Sequence, residues 1–194
     1  MTGVQTCALP IFNEQGVPQE TSNDLDVAIQ GKGFFVVQMP NGTEAYTRAG
    51  AFQQSPEGEI ITQEGYTVSP GITIPQGATK ITITATGTVQ AVLGGQVDPQ
   101  TIGQLELATF VNPNGLEAMG DNLFQQTTAS GEANTAAPGE DGYGTLLQGY
   151  LENSNVDPVR EITTLIVAQR SYEMNSKIIT AADEMLRAAA QLRS

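Results

Sequence analysis

The side chains that could do chemistry in this chain are few. It has no histidine and a single cysteine, Cys7, so the sequence excludes His-based catalytic triads, an intrachain disulfide and the common zinc sites. Residues 31–35 read Gly-Lys-Gly-Phe-Phe and superficially resemble a phosphate-binding loop. The third glycine of such a loop is missing, and a strand rather than a helix is predicted after it. This segment therefore favours a tight turn or a bulge.

Carboxylate pairs are the remaining candidates for acid–base or metal chemistry. Residues 23–26 contain two aspartates and residues 140–141 are Glu-Asp, but neither segment has the spacing of a calcium-binding loop. Glu57 and Glu59 lie on one face of a predicted strand, and nothing in the sequence places a cleft there. These patterns are typical of solvated turns. We therefore predict no catalytic residue, no cofactor and no metal site.

The net charge of the chain argues against some classes of binding partner. Its net charge is −13, from 21 acidic and 8 basic residues, and residues 1–150 hold 15 of the acidic side chains against 3 basic ones. Such an acidic surface disfavours nucleic acids and anionic lipids as partners. No segment approaches the run of about 20 apolar residues that spans a bilayer, so membrane insertion is not expected.

The first eleven residues differ from the rest of the chain, and the predicted secondary structure begins after them. Residues 1–11 match no pattern in the rest of the chain, and they lack the basic region and the longer apolar stretch of a secretory signal peptide. They look like a translated sequencing-adapter artefact, which leads us to expect that the natural N-terminus is missing. Together with the polar residues 12–24 they form a leader and linker, residues 1–24, outside the fold.

Residues 25–126 have the pattern of a β body. Apolar and polar residues alternate in short runs, as in residues 80–84 and 88–93, and Pro-Asn-Gly at residues 40–42 is a strong hairpin turn. The last clear strand is predicted at residues 104–111. Many short strands at close spacing predict an antiparallel meander, a small barrel or a sandwich.

A connector is predicted between this body and the last segment of the chain. Residues 127–144 are rich in Thr, Ala, Gly, Ser and Asn, which makes them too polar to bury. A short strand at residues 146–151 completes the connector, whose full range is 127–151. The final segment, residues 152–194, is predicted to be helical.

A single uninterrupted helix is predicted from residue 158 to about residue 192. Asp157 suits the N-cap, Pro158 suits the first helical position, and no Pro or Gly comes after it. At 1.5 Å per residue the helix is roughly 50 Å long, longer than the expected diameter of the body, so part of it should project. The predicted fold class is therefore mainly β, with an antiparallel body and a projecting helix of coiled-coil type.

Apolar residues recur along this helix at alternating spacings of three and four, which is a heptad seam of four repeats. A second row, seven residues apart, widens the apolar surface in the second half; it consists of Thr164, Ser171, Ile178, Met185 and Leu192. An apolar stripe of this length needs a partner helix, since alone it would expose apolar surface to water. The alternative is an ordinary amphipathic helix packed on its own domain. The predicted polymer interface consists of Leu165, Ala168, Tyr172, Asn175, Ile179, Ala182, Met185, Leu186, Ala189 and Leu192.

Asn175 is the polar member of the seam. A polar side chain at such a position fixes the register between helices at some cost in stability. A helix position that faces solvent explains a polar residue at position 175 equally well when no partner helix is known.

The chain resembles a known family in several of these segments. The tail segments at residues 154–157, 169–177 and 180–186 closely resemble the C-terminal signature of bacterial flagellar rod and hook proteins. Segments of the body are most similar to the distal rod type of this family. They lie at residues 26–35, 45–52, 72–75, 103–105 and 115–117.

The resemblance implies a structural subunit without enzymatic activity. Such subunits are exported through the flagellar type III apparatus without a cleaved signal peptide, and they polymerise into a hollow rod that transmits motor torque across the periplasm to the hook. The implied partners are further copies in a helical rod, other rod subunits, the hook protein and the surrounding basal-body rings. In the family an N-terminal helix pairs with the C-terminal one, and here residues 1–11 stand in its place.

Other interpretations remain open at this stage. Within the family the chain could be a proximal rod or hook subunit. From another class, it could be a secreted β-rich binding module with an oligomerising helix, and a hydrolase with a carboxylate pair is a weaker third. Flagellar genes beside this one would favour the rod, and carbohydrate-use genes the hydrolase.

Overall fold

The computed structural model describes residues 15–95, 98–155 and 158–191. The chain divides into two units, a β unit that ends at Asn153 and a helical unit that begins at Ser154. The predicted fold class, mainly antiparallel β with a long C-terminal helix, is confirmed. Cys7, the expected N-cap Asp157 and the predicted interface residue Leu192 lie outside the described residues.

The strands of the β unit are short, and all the described strand pairs are antiparallel. The first eight are β1 (Pro18–Glu20), β2 (Val27–Gln30), β3 (Phe34–Gln38), β4 (Glu44–Thr47), β5 (Phe52–Gln54), β6 (Ile60–Thr62), β7 (Thr67–Val68) and β8 (Ala78–Ile83). The others are β9 (Thr88–Leu93), β10 (Gln100–Gln104), β11 (Leu107–Thr109), β12 (Glu117–Gly120), β13 (Leu123–Gln125), β14 (Asn134–Ala136), β15 (Thr145–Gln148) and β16 (Tyr150–Glu152).

These strands form four sheets. The largest has the order β12-β13-β4-β3-β7-β6-β5, and β11 joins it by pairing with both β3 and β14. A three-stranded sheet has the order β10-β9-β8. The last two strands return to the first two, since β15 pairs with β2 and β16 pairs with β1. Of the architectures left open by the sequence, a closed barrel is not found among the described strands.

Strand β3 is the centre of the core and is buried on both faces. Phe35 and Val37 belong to the main hydrophobic cluster, where the Phe35 ring meets the Phe52 ring edge to face with centroids 5.0 Å apart. Phe34 and Val36 point into a second cluster on the other face. Burial on both faces explains why this strand is a continuous apolar run rather than an alternating one.

The hairpin predicted at residues 40–42 connects β3 to β4. Gly42 has a φ of +80°, which glycine adopts without the steric cost that a β-carbon imposes. Its N–H donates to the Met39 carbonyl at 2.9 Å, and the Asn41 side chain accepts the Thr43 N–H at 3.0 Å. The register pairs Val36 with Tyr46.

The single strand predicted at residues 104–111 is wrong, because the structure has two strands there. Strand β10 ends at Gln104 in the three-stranded sheet, and β11 begins at Leu107 in the largest sheet. Between them Leu105 is fully buried, and its N–H donates to the Gly87 carbonyl at 2.8 Å. The apolar alternation continues through this change of sheet, which is why the pattern concealed it.

The polar stretch at residues 127–144 differs from the expected exposed connector. It contains β14, which pairs with β11. Ser130 is fully buried, contrary to the expectation from composition, and its hydroxyl donates to the Thr127 carbonyl at 2.9 Å and accepts the Thr127 N–H at 2.9 Å. Local side-chain bonds of this kind satisfy the backbone, so a polar segment can pack without a large apolar content.

The helical unit contains α1, which runs without interruption over Pro158–Gln191, 34 residues. This confirms the helix predicted from residue 158 for the described part of its length. At 1.5 Å per residue it is roughly 50 Å long. Within the described residues, no helix combines the length and the hydrophobicity that crossing a bilayer requires.

Candidate assembly site

The described seam residues of α1 present their side chains to solvent. Leu165 is 67% exposed and Tyr172 is 78% exposed, values usual for polar surface residues and costly for large apolar ones. Leu186 and Ala189 belong to the helix, but their side chains lie outside the described part of the structure. The other described residues of the predicted interface are also exposed, apart from the half-buried Ala182; they are the seam residues Ala168, Asn175 and Ile179, and Met185 of the second row.

Exposed apolar side chains are not confined to the seam, and the heptad pattern in the sequence does not account for most of the others. Leu165, Ile166 and Val167 are consecutive, so they point in different directions around the helix axis. A helix that is apolar on several faces is typical of one that packs against several neighbours. The additional exposed residues are Val159, Ile162, Ile166, Val167, Met174 and Ile178, of which only Ile178 belongs to the second predicted row.

The β unit ends in a two-stranded ribbon, formed by β1 and β16, which we call the terminal strand pair. Its register joins Pro18 to Glu152 and Glu20 to Tyr150. The Asn153 N–H donates to the Val17 carbonyl at 3.1 Å, which extends the pairing by one residue. The chain therefore enters β1 and leaves β16 at the same end of this ribbon, and α1 comes after β16 along the chain.

An arginine lies at that end and joins three segments of the β unit. The Arg48 Nε donates to Glu152 Oε2 at 3.0 Å, and the side chains are only 20% and 13% exposed. The other guanidinium nitrogens donate to the carbonyls of Gly33 and Gly31, both at 3.2 Å. The second oxygen of Glu152 accepts the Gly16 N–H at 2.9 Å. These five residues are the Arg48 cluster.

The contacts of the Arg48 cluster show that the Gly-Lys-Gly segment is a turn that binds an arginine. Gly31 and Gly33 have φ values of +113° and +140° and form the turn between β2 and β3. A phosphate-binding loop directs several N–H donors at the anion. Here the carbonyl oxygens of the two glycines accept hydrogen bonds from the Arg48 guanidinium. The segment therefore binds a positive group, whereas a phosphate-binding loop binds a negative one. The turn expected from the sequence is confirmed.

The carboxylates singled out by the sequence lie in separate local turns. The Asp26 side chain accepts the Asn23 amide at 2.9 Å, and Glu57 accepts the Ser55 hydroxyl at 3.0 Å. Across the described residues, no group of three or more His, Cys, Asp or Glu side chains is arranged to hold a metal ion. Both contacts stabilise local turns.

Tyr46 is a buried polar group in the core of the largest sheet. Its hydroxyl donates to Glu44 Oε2 at 3.3 Å, and Gln126 Oε1 lies 3.4 Å away. Burial, together with the Glu44 charge and hydrogen bond, raises the pKa of Tyr46 from 10.0 to about 12. The phenol therefore stays protonated at neutral pH and is no candidate for a general base.

Two family models match this chain. Residues 28–91 match the model described as the flagellar hook protein FlgE/F/G D1 domain, and residues 147–192 match the flagellar basal body rod FlgEFG protein C-terminal. The first segment spans β2 to most of β9 and contains Arg48. The second contains Glu152 and α1, so the ion pair of the Arg48 cluster joins the two matched segments.

Relatives match the chain over almost its full length. A Caulobacter vibrioides protein is 58% identical over 192 residues, covering 99% of this chain and 73% of the relative. An Agrobacterium fabrum protein is 52% identical, covering 94% of this chain and 70% of the relative. A third, from Buchnera aphidicola, is 44% identical over 98% of this chain and 74% of its own length. Each is described as the flagellar basal-body rod protein FlgG.

Proposed function

This chain belongs to the flagellar hook and basal-body rod family as a structural rod subunit of the distal type, and we propose that α1 makes its polymer contacts. The observation that carries the proposal is the exposed apolar surface of α1, since Leu165, Tyr172 and Ile179 are each more than 60% exposed. These side chains lie in the segment that matches the C-terminal model of the rod family.

The seam residues are the proposed contacts with helices of neighbouring subunits. A rod that transmits torque must resist shear along its whole length, and many small packing contacts repeated between identical subunits provide this. Heptad spacing supplies such contacts at every second turn of the helix. Asn175 lies among apolar seam positions, where a polar side chain favours one register between neighbouring helices.

The proposed assembly is a hollow helical homopolymer that adjoins other rod subunits, the hook protein and the surrounding basal-body rings. A head-to-tail contact repeated without closure produces such a filament. The proposed route to the basal body is type III export without a cleaved signal peptide. The acidic charge of residues 1–150 supports a function without nucleic acid or anionic lipid partners.

We also propose that the subunit has no catalytic activity and needs no metal or cofactor. Its carboxylates at positions 26 and 57 are engaged in turns, and its most perturbed tyrosine is shifted toward the protonated form. General acid–base work near neutral pH requires a group whose pKa is shifted toward that range. Dialysis against a chelator should leave the melting temperature of the β unit unchanged, whereas a fall that calcium restores would contradict this part of the proposal.

Incorporation into basal bodies tests the proposed function. The chain is expressed in Caulobacter vibrioides, and hook–basal bodies are purified and examined with an antibody specific for this chain. We expect labelling along the rod. A chain that is abundant in the cells and absent from purified basal bodies would contradict the proposal that α1 makes polymer contacts.

A further inference from the structure

The link between α1 and the β unit passes through β16. Five residues of sequence, 153–157, separate the end of β16 from Pro158. Any force applied along α1 therefore reaches the β unit through Asn153 and then Glu152, the last residue of β16. This inference rests on the proposed function, because a rod subunit works under mechanical load.

The terminal strand pair is weak by itself. It contains three residue pairs, and β16 is only half-buried along its length while β1 is largely exposed. An isolated two-stranded ribbon is marginally stable at best in water. The Pro18–Glu152 pair has no backbone bond across the ribbon, because backbone bonds join alternate pairs of an antiparallel ribbon and the flanking bond runs from the Asn153 N–H to the Val17 carbonyl. Backbone pairing alone is therefore a poor attachment for a strand that is pulled from its end.

The direction of pulling makes the position of Glu152 important. In the antiparallel register, Glu152 and Pro18 form the last pair of the two strands before α1 along the chain, and beyond them lies the bond from the Asn153 N–H to the Val17 carbonyl. A pull from α1 loads the bonds at that end first and then the next pair, so the strand would peel off one residue at a time. The side-chain bonds of Glu152 therefore oppose detachment at the first residue of β16 to peel, before the bonds of the inner strand pairs are loaded.

We propose that Arg48 and Glu152 are positioning residues for torque transmission, which fasten the strand leading into α1 to the β2–β3 turn. Arg48 bonds the Glu152 carboxylate and two turn carbonyls at once, at 3.0, 3.2 and 3.2 Å. The opposite carboxylate oxygen bonds the Gly16 N–H on the segment that leads into β1. Both strands of the ribbon are thus tied to the largest sheet by one ion pair.

The hydrogen bonds of the Arg48 cluster are strong enough and specific enough to hold β16 in place. Both side chains are mostly shielded from solvent, so the charge-assisted bonds are screened less than those of a surface pair. The planar guanidinium directs donors to three acceptors at fixed angles, which the single ammonium of lysine does not reproduce. The Phe34 ring, whose centroid lies 5.9 Å from Arg48 Cζ, adds a second face of contact.

Single-molecule pulling on the full chain tests the proposal. Handles are attached through Ser176→Cys on α1 and Glu64→Cys on an exposed turn of the β unit, in a Cys7→Ser background. The measurement is the rate at which β16 detaches under constant force. We expect Arg48→Gln and Glu152→Gln to detach about 10–100-fold faster than the unaltered protein, since each loses a hydrogen bond to a charged group.

Three further variants separate a fastening from a general loss of stability. In the double variant R48Q/E152Q the two effects should not multiply, because both single changes break the same bond between Arg48 and Glu152. Arg48→Lys should be intermediate. Lys80→Gln removes an exposed cation elsewhere and should match the unaltered protein. Hydrogen exchange at the Phe35 and Val37 amides should stay unchanged in all of them, while exchange at the Asn153 amide quickens in the two single variants.

Three results of these experiments would overturn the proposal. Detachment of both single variants within twofold of the unaltered protein would overturn the proposal. So would single effects that multiply in the double variant, or faster exchange throughout the core, which would make Arg48 a general stabiliser. The pulling experiment needs no rod, so its failure leaves the rod assignment intact, and absence from basal bodies would leave the fastening intact.

Discussion

The backbone of Gly16 lies directly against the carbonyl oxygen of Asn153, and this contact leaves no room for a β-carbon at Gly16. The two residues flank the terminal strand pair, one before β1 and the other after β16. Close backbone approach at this point brings the Gly16 N–H within reach of the Glu152 carboxylate. The segment entering the β unit and the segment leaving it are thus held side by side by a glycine that composition alone would not single out.

Replacing Gly16 with alanine should loosen the terminal strand pair. The new β-carbon would collide with backbone rather than with a flexible side chain, so a strand must move, at a cost of about 1–3 kcal/mol in the free energy of unfolding. The measurement is denaturant unfolding combined with hydrogen exchange at the Asn153 amide. Gly94→Ala is the matched control, because the nearest atoms to its β-carbon would be at 3.7 Å. Equal stability of the two variants would contradict the contact.

A charge in the seam should prevent incorporation into basal bodies without unfolding the β unit. Leu165→Asp would place a carboxylate at a position that we propose to be packed in the polymer, and an unpaired buried charge costs several kcal/mol. Thr163→Asp is the control, since Thr163 is also exposed on α1 but is polar and lies outside the seam. We expect only Leu165→Asp to be absent from purified basal bodies, with both variants melting like the unaltered protein. Normal incorporation of Leu165→Asp would contradict the seam.

The structural elements that were predicted correctly are those determined by residues close together in the chain. The run Phe34–Gln38, the turn at Gly42 and the uninterrupted helix from Pro158 each arise from residues that are neighbours in the chain. Turn chemistry and apolar runs act over a few residues, so a single sequence contains the whole signal. The same holds for the Gly-Lys-Gly segment, where the missing third glycine correctly disfavoured a phosphate site.

The features that escaped prediction depend on residues far apart in the chain. Arg48 and Glu152 are 104 positions apart, and nothing near either one indicates the other. The switch between β10 and β11 has the same origin, because the partners of each strand, not its own residues, decide which sheet it joins. Residues exposed in the subunit, such as Ile166 and Met174, were missed because a heptad template selects one face of the helix and the apolar surface covers several.

Removing methyl groups from the centre of the core should destabilise the β unit strongly. Val37 is fully buried in the main hydrophobic cluster, whereas Val111 is 86% exposed. Val37→Ala deletes two buried methyl groups and should lower the free energy of unfolding by about 2 kcal/mol. The identical change at Val111 should stay within about 0.5 kcal/mol of the unaltered protein. Denaturant titration monitored by circular dichroism measures both, and similar midpoints would show that β3 is not the core strand described.

The stability of the β unit should fall at alkaline pH because of Tyr46. The pKa of this phenol is about 12 in the folded protein and 10.0 for an ordinary tyrosine. Below pH 10 the group is protonated in both states, and its contribution to stability is fully present. Between pH 10 and about 12 the unfolded chain releases this proton while the folded protein retains it, so the free energy of unfolding decreases.

The variant Tyr46→Phe isolates that contribution. It loses the hydrogen bond to Glu44 and should be less stable at pH 8 by about 1 kcal/mol. Since phenylalanine has no proton to release, its stability should fall less steeply than that of the unaltered protein between pH 10 and 12. Tyr66→Phe is the control, because it keeps Tyr46 and the fall that belongs to it. Urea unfolding at intervals of half a pH unit gives the slopes, and equal slopes for Tyr46→Phe and Tyr66→Phe would mean that burial in the sheet does not hold the Tyr46 proton.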